Sequence, residues 1–150
     1  MTKFINFICN EQQFALTIDS VEKILLYKKP ALIPDTSAYI NGFLSYNDIP
    51  LLLIDMKMRL FNEKLNPNEQ TKIIVANWKS KKIGLIVEQI TQVKEYPITD
   101  VEQSESSNST VRTGYLIGTF QENDAITLHI DVDKLFSSEG EQEIEELIEK

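Results

Sequence analysis

The sequence predicts a mainly β fold, built as two small five-stranded barrels. Three observations point there: the chain repeats itself, its apolar residues alternate or form short β-branched runs, and Gly, Pro, Asn and Asp punctuate those runs. Residues 2–24 lie over residues 71–93 without a gap, with Thr2, Lys3, Ile5 and Leu16 meeting Thr71, Lys72, Ile74 and Leu85 at an offset of 69. Residues 39–60 lie over residues 115–136, where Tyr39, Gly42, Asn47, Asp48, Leu52, Ile54 and Asp55 meet Tyr115, Gly118, Asn123, Asp124, Leu128, Ile130 and Asp131 at an offset of 76. The seven-residue slip falls in one connection, where the second copy carries SESSNST. Five short strands are too few for an open sheet to bury both faces, and closing each set into a barrel removes its edges.

In the first copy the alternation predicts strands near 3–9, 12–18, 20–27, 39–46 and 50–55, and in the second near 72–78, 82–88, 90–96, 114–121 and 125–130. Asp55 and Asp131 end the fifth strands and are followed by MKMRLF and VDKLF, so each reads as the N-cap of a short helix. The Asn-Asp pairs in SYNDIP and QENDAI read as hairpin turns rather than cation loops, since neither segment has the regular carboxylate spacing of a calcium loop. EKLNPNEQ at 63–70, with Pro67 inside it, separates the copies. The expected organisation is one domain over 1–138, with subdomains roughly 1–66 and 67–138 that are free to exchange strands. The tail 139–150 places Ile144, Leu147 and Ile148 at helical spacing among acids, which predicts an acidic amphipathic helix that docks on the body or frays.

The 150-residue chain carries a net charge of −8, but residues 131–150 hold eight Asp/Glu against two Lys and the body is close to neutral. Such a surface does not attract phosphate backbones, so nucleic acid is not an expected partner. No apolar run approaches the roughly 20 residues of a membrane-spanning helix, and MTKFINFICN reads as a strand rather than a secretion signal, so the expected location is cytoplasmic. The single Cys9 has no partner for a disulfide and no Cys/His neighbours for zinc, and reads as a small buried hydrophobe. His129, the only histidine, is out of phase with Ile126, Leu128 and Ile130, and reads as a solvated strand residue rather than a general base. The five glycines form no phosphate loop; Gly42 and Gly118 recur in equivalent strands and mark bends or close backbone approach. Neither an enzyme nor a cofactor is expected.

From Phe4 to Phe136 the chain resembles the CheW-like domain, the coupling module of bacterial chemotaxis. The residues that carry the resemblance are FALTIDSVEKI at 14–24, YINGF at 39–43, LLLIDMKMRLF at 51–61, TKIIVANWKSKKIGLIVEQITQV at 71–93, YLIGTF at 115–120 and LHIDVDKLF at 128–136. The resemblance implies two SH3-like barrels related by a pseudo-twofold. It also implies a non-catalytic adaptor that docks on the regulatory domain of the histidine kinase CheA and on the cytoplasmic tip of chemoreceptors, without inserting into the membrane itself.

Against that family pattern the polar interface positions depart while the core positions hold. Where the family has Val-x-Glu-Ile, this chain has Val21-Glu22-Lys23-Ile24, an acid turned base. Where the family has Asn-Leu-Arg-Gly, it has Ser45-Tyr46-Asn47-Asp48, and the arginine is lost at Asn47. The second copy reads Ile90-Thr91-Gln92-Val93, with Gln92 in place of an acid. Val21 and Val93 read as core residues on their own, whereas the resemblance puts them at a receptor-facing groove between the modules. The partner-binding candidates are therefore Val21, Lys23, Asn47, Gln92 and Val93, with Phe43 and Tyr46 as candidates for kinase docking. Charge exchanges at such positions alter partner choice strongly. A non-flagellar chemosensory system with altered receptor specificity fits them as the alternative setting.

Overall fold

The computed structural model describes residues 2–96, 102–103 and 114–149, and the SESSNST stretch lies outside them. The strands of the first copy are β1 (Thr2–Cys9), β2 (Gln12–Thr17), β3 (Val21–Leu26), β4 (Ile40–Tyr46) and β5 (Ile49–Asp55), followed by helix α1 (Met56–Phe61). The second copy supplies β6 (Lys72–Trp78), β7 (Lys81–Val87), β8 (Gln89–Tyr96), β9 (Glu102–Gln103), β10 (Leu116–Glu122) and β11 (Ala125–Ile130), and helix α2 spans Ser138–Ile148. The ten expected strands are all present, and the two-residue β9 is an addition beside β10.

The sheets are not the two copies. One sheet has the order β8-β1-β2-β11-β10-β9 and the other β3-β6-β7-β5-β4, so each takes strands from both copies. The joins β2 to β11 and β5 to β7 are parallel, and they occupy equivalent places in the two sheets. The break near residue 66 is thus a boundary in sequence that both sheets cross. Side chains draw the outer strands of each sheet together. Tyr46 Oη on β4 donates to Glu22 on β3 at 2.5 Å, while the Tyr96 ring on β8 stacks on Phe120 of β10 with centroids 3.9 Å apart.

Three apolar clusters follow from this arrangement. A central core between the sheets takes Phe7, Phe14, Leu52, Ile54, Ile74, Trp78 and Leu85. Leu51, Leu53, Ile73, Val75 and Ile86 fill the interior of the second sheet, and Phe4, Ala15, Tyr96 and Phe120 that of the first. Leu51–Ile54 and Ile73–Ala76 are therefore buried on both faces, and their sequences are continuous apolar runs instead of alternations.

The repeat is also visible in hydrogen bonds. Asp55 N donates to Tyr39 O and Asp131 N to Tyr115 O, each at 2.7 Å. Register shifts fall between Ile40 and Gly42 and between Leu116 and Gly118, as the paired glycines predicted. A Cβ on Gly42 would sit 2.1 Å from the Ala31 carbonyl oxygen, so the close approach of two backbones demands glycine there. Asn47 and Asp48 both have positive φ and form the β4–β5 hairpin tip. Asp55 caps α1 by accepting from Met58 N at 3.0 Å, and its second oxygen accepts from Leu65 N at 3.0 Å. Asp131 accepts from Asp133 N at 3.0 Å but opens only a 3-10 turn, Val132–Lys134, before Ser137 caps α2. The tail helix docks, with Ile144 fully buried in the central core and Glu143 accepting from Ser37 N at 2.9 Å.

His129 corrects an expectation. It is only 7% exposed, edge-on to Phe4 at 4.8 Å and stacked on Phe120 at 5.8 Å. Ile126, in contrast, is 50% exposed. The alternation argument failed because β11 has two buried faces: Leu128 and Ile130 pack on the central core, and His129 occupies the interior of its own sheet.

Two predictions follow. Asp55→Ala removes the acceptor of both a helix cap and the buried Leu65 N–H, and costs about 2–4 kcal/mol in urea denaturation. Asp131→Ala removes one exposed acceptor bond, and costs about 1 kcal/mol. For His129, burial holds the imidazole below its ordinary 6.5, with Asp131 opposing weakly. The unfolded chain thus takes up a proton that the folded chain excludes, so this part of the stability is complete above about pH 6.5 and lost as the pH falls. Unfolding free energies from urea titrations between about pH 7 and about pH 5 should decline by at most about 1.4 kcal/mol per pH unit from this source. In His129→Phe that decline disappears.

Candidate functional site

The outer strands β3 and β8 are equivalent in the repeat and similar in setting. β3 pairs only with β6 and β8 only with β1 among the described strands, so each leaves one edge without a neighbour. At the offset of 69, Val21 corresponds to Ile90 and Ile24 to Val93. Val21 and Ile90 are half-buried against the central core. Ile24 and Val93 are 38% and 56% exposed. The core thus reaches the surface beside both strands, with an exposed β-branched side chain on each. Sequence reasoning named Val21 and Val93, which are not symmetry mates, and missed Ile24 and Ile90. The constant offset already aligned all four.

The polar candidates are exposed. Lys23 stands on β3 between Glu22 and Ile24, Gln92 stands on β8 opposite Asn6, and Asn47 is at the β4–β5 tip. The acid that remains on β3 is turned to structural use. Glu22 accepts from Tyr46 Oη and pairs with Lys82 Nζ at 2.5 Å, and these bonds, Lys82 first, hold its carboxyl below the usual range. Tyr46 is buried among Leu51, Leu53 and Val75, leaving its hydroxyl to hold Glu22. Phe43 is half-buried against the central core, opposite Leu52, and its backbone bonds reciprocally with Ala31 at 2.9 Å. The structure therefore brings Val21, Lys23 and Ile24 together on one strand and Gln92 and Val93 on another.

Two side chains with potential for chemistry, Cys9 and Asp55, are occupied by the fold. Cys9 is fully buried and its thiol is pushed up to about 12, chiefly by burial, so it stays protonated at neutral pH. Both Asp55 oxygens accept backbone N–H bonds. The described residues contain no cluster of three His, Cys, Asp or Glu that could hold a metal ion. They also contain no helix long and apolar enough to cross a membrane.

Comparison with known proteins gives a consistent result. The chain is 23% identical over 137 residues to the chemotaxis protein CheW of Klebsiella aerogenes, covering 91% of this chain and 82% of that one. It is also 23% identical to chemotaxis protein CheW of Rhizobium meliloti, covering 91% and 88%. The crystal structure of the scaffolding protein TtCheW from Thermoanaerobacter tengcongensis superposes with a TM-score of 0.82 at 24% identity, over 93% of this chain and 90% of that one. Two SH3-like subdomains are thus the shared fold. The CheW-like domain model matches residues 3–140, and the chain belongs to that family.

Proposed function

We propose that this protein is a non-catalytic adaptor that couples chemoreceptors to the histidine kinase CheA by binding alone. The observation that carries this reading is the pair of exposed β-branched side chains, Ile24 and Val93, on equivalent outer strands beside the shared core. Exposed apolar residues fixed on rigid strands suit an interface, because β-branched side chains lose little entropy when covered. The helical hairpin of a receptor tip would lay apolar residues along Val21, Ile24, Ile90 and Val93 in the helix-in-groove manner. The regulatory domain of CheA would dock elsewhere on the barrels. Phe43 is the better of the two kinase-docking candidates, since Tyr46 is buried and engaged with Glu22. The protein would work in the cytoplasm, recruited to receptor arrays at the membrane.

The alternative setting is a chemosensory system other than the flagellar one. Lys23, Asn47 and Gln92 support it, because three polar positions differ in charge from the family pattern while the framework is kept. A like charge brought against the usual partner costs several kcal/mol, so such exchanges select a different receptor surface.

The test is binding to a receptor tip of the usual family sequence, measured by titration calorimetry. The native chain should bind weakly, and the triple variant Lys23→Glu, Asn47→Arg, Gln92→Glu should bind at least about tenfold more tightly. Val93→Asp in that triple variant should abolish the gain. Tight binding by the native chain, equal to that of an ordinary family member, would sink the altered-specificity reading.

A further inference from the structure

One cavity of the described surface has none of Val21, Ile24, Ile90 or Val93 in its lining. The segment from β3 to β4 and the segment from α1 to β6 enclose about 440 Å³ at one end of the second sheet. Leu65 and Ile86, from that sheet's own interior cluster, form part of its lining, and Tyr27, Pro30, Leu32 and Pro67 add to it. It is thus the mouth of a small barrel, a common place for binding, whereas Val21 and Ile90 lie on the central core.

The mouth combines an apolar lining with two cations. Lys29 and Lys64 line it, both exposed, and neither belongs to any ion pair among the described residues. The only acid in the lining, Asp55, is buried with both oxygens committed to backbone N–H groups. A positive rim therefore sits on a chain of net charge −8. Leu26 and Leu32 are 73% and 70% exposed, more than any other large apolar side chain among the described residues. Leu32 lines the cavity, and Leu26 directly precedes the lining residue Tyr27 at the end of outer strand β3.

We propose that the barrel mouth binds an extended acidic segment of a partner protein, with one apolar side chain inserted in the cavity and its carboxylates on Lys29 and Lys64. The lining is spread over 27–32 and 64–67, which suits a stretch of chain better than a compact small molecule. The two lysines then supply orientation and steering toward an anionic partner. This site stands apart from the proposed receptor groove and does not depend on that groove binding a receptor.

The probes are two dye-labelled nine-residue peptides with the same Leu-Phe centre, one flanked by Glu and the other by Lys, followed by fluorescence anisotropy. The Glu-flanked peptide should bind the native chain, and the Lys-flanked one at least about tenfold more weakly. Lys29→Glu with Lys64→Glu, and separately Leu32→Asp, should each weaken the Glu-flanked peptide by a similar factor. These positions are exposed, and an unchanged urea midpoint will show that the fold is intact. Amide shifts on titration should fall at 27–32 and 64–67. The proposal is overturned if the Glu-flanked peptide does not bind, if the lysine variants bind it unchanged, or if the shifts centre on Ile24 and Val93. A dimer in sedimentation that the double lysine variant dissolves would assign the mouth to a second copy of the chain, and would overturn it equally.

Discussion

Burial of six strands on both faces is the constraint on which the structure depends. β1, β2, β5, β6, β7 and β11 each present one row of side chains to the central core and the other to the interior of a sheet. A 150-residue chain has little interior to spare, and sharing one core between two small sheets lets each bury more than it could alone. Interleaving is part of the same solution. Because the parallel joins β2 to β11 and β5 to β7 pair strands of different copies, neither copy can close its sheet without the other. The two halves are therefore expected to fold as one cooperative unit.

The duplication kept the backbone and let the interiors diverge. Equivalent features persist where the backbone needs them: the Asp to Tyr bonds at 2.7 Å, the paired register shifts and the capping carboxylates. The sheet interiors differ. One is filled by Leu and Ile. The other holds an aromatic cluster with Asn6, whose amide donates to Tyr96 Oη at 3.0 Å, and His129, whose ring nitrogens have no hydrogen-bond partner among the described residues. Buried polar groups of that kind cost stability, and the second interior has a comparable feature only at its rim, in the Tyr46 to Glu22 bond.

Much of the fold was legible in the sequence because repeats, hairpin turns and capping residues are local signals. Asn47-Asp48, Gly42 and Asp55 each need only their neighbours to be interpreted, and each does what its neighbours imply. The failure at His129 has a physical cause. Period-two alternation assigns a side chain to inside or outside, but a strand between two cores has no outside. His129 was therefore placed in solvent although it lies in an interior. The sequence left strand exchange between the copies open but could not say which strands cross, since nothing local distinguishes a hairpin that pairs within its copy from one that pairs across. For the candidate site the exposed positions Lys23, Gln92 and Val93 were legible, but the burial of Tyr46 was not, because it rests on packing against Leu53 and Val75 of other strands.

The same constraint accounts for where recognition can reside. With the central strands buried on both faces, only the outer strands, hairpin tips and barrel mouths are free to vary without loss of core packing. Lys23, Asn47 and Gln92 all lie in that free set, two on outer strands and one on a tip. Changing them alters the charge offered to a partner while Leu52, Ile54, Ile74 and Leu85 go on holding the sheets together. A scaffold whose stability is confined to its middle and whose contacts are confined to its rim can therefore change partners by a few surface substitutions. That separation explains how the framework stays recognisable at 23–24% identity to its relatives.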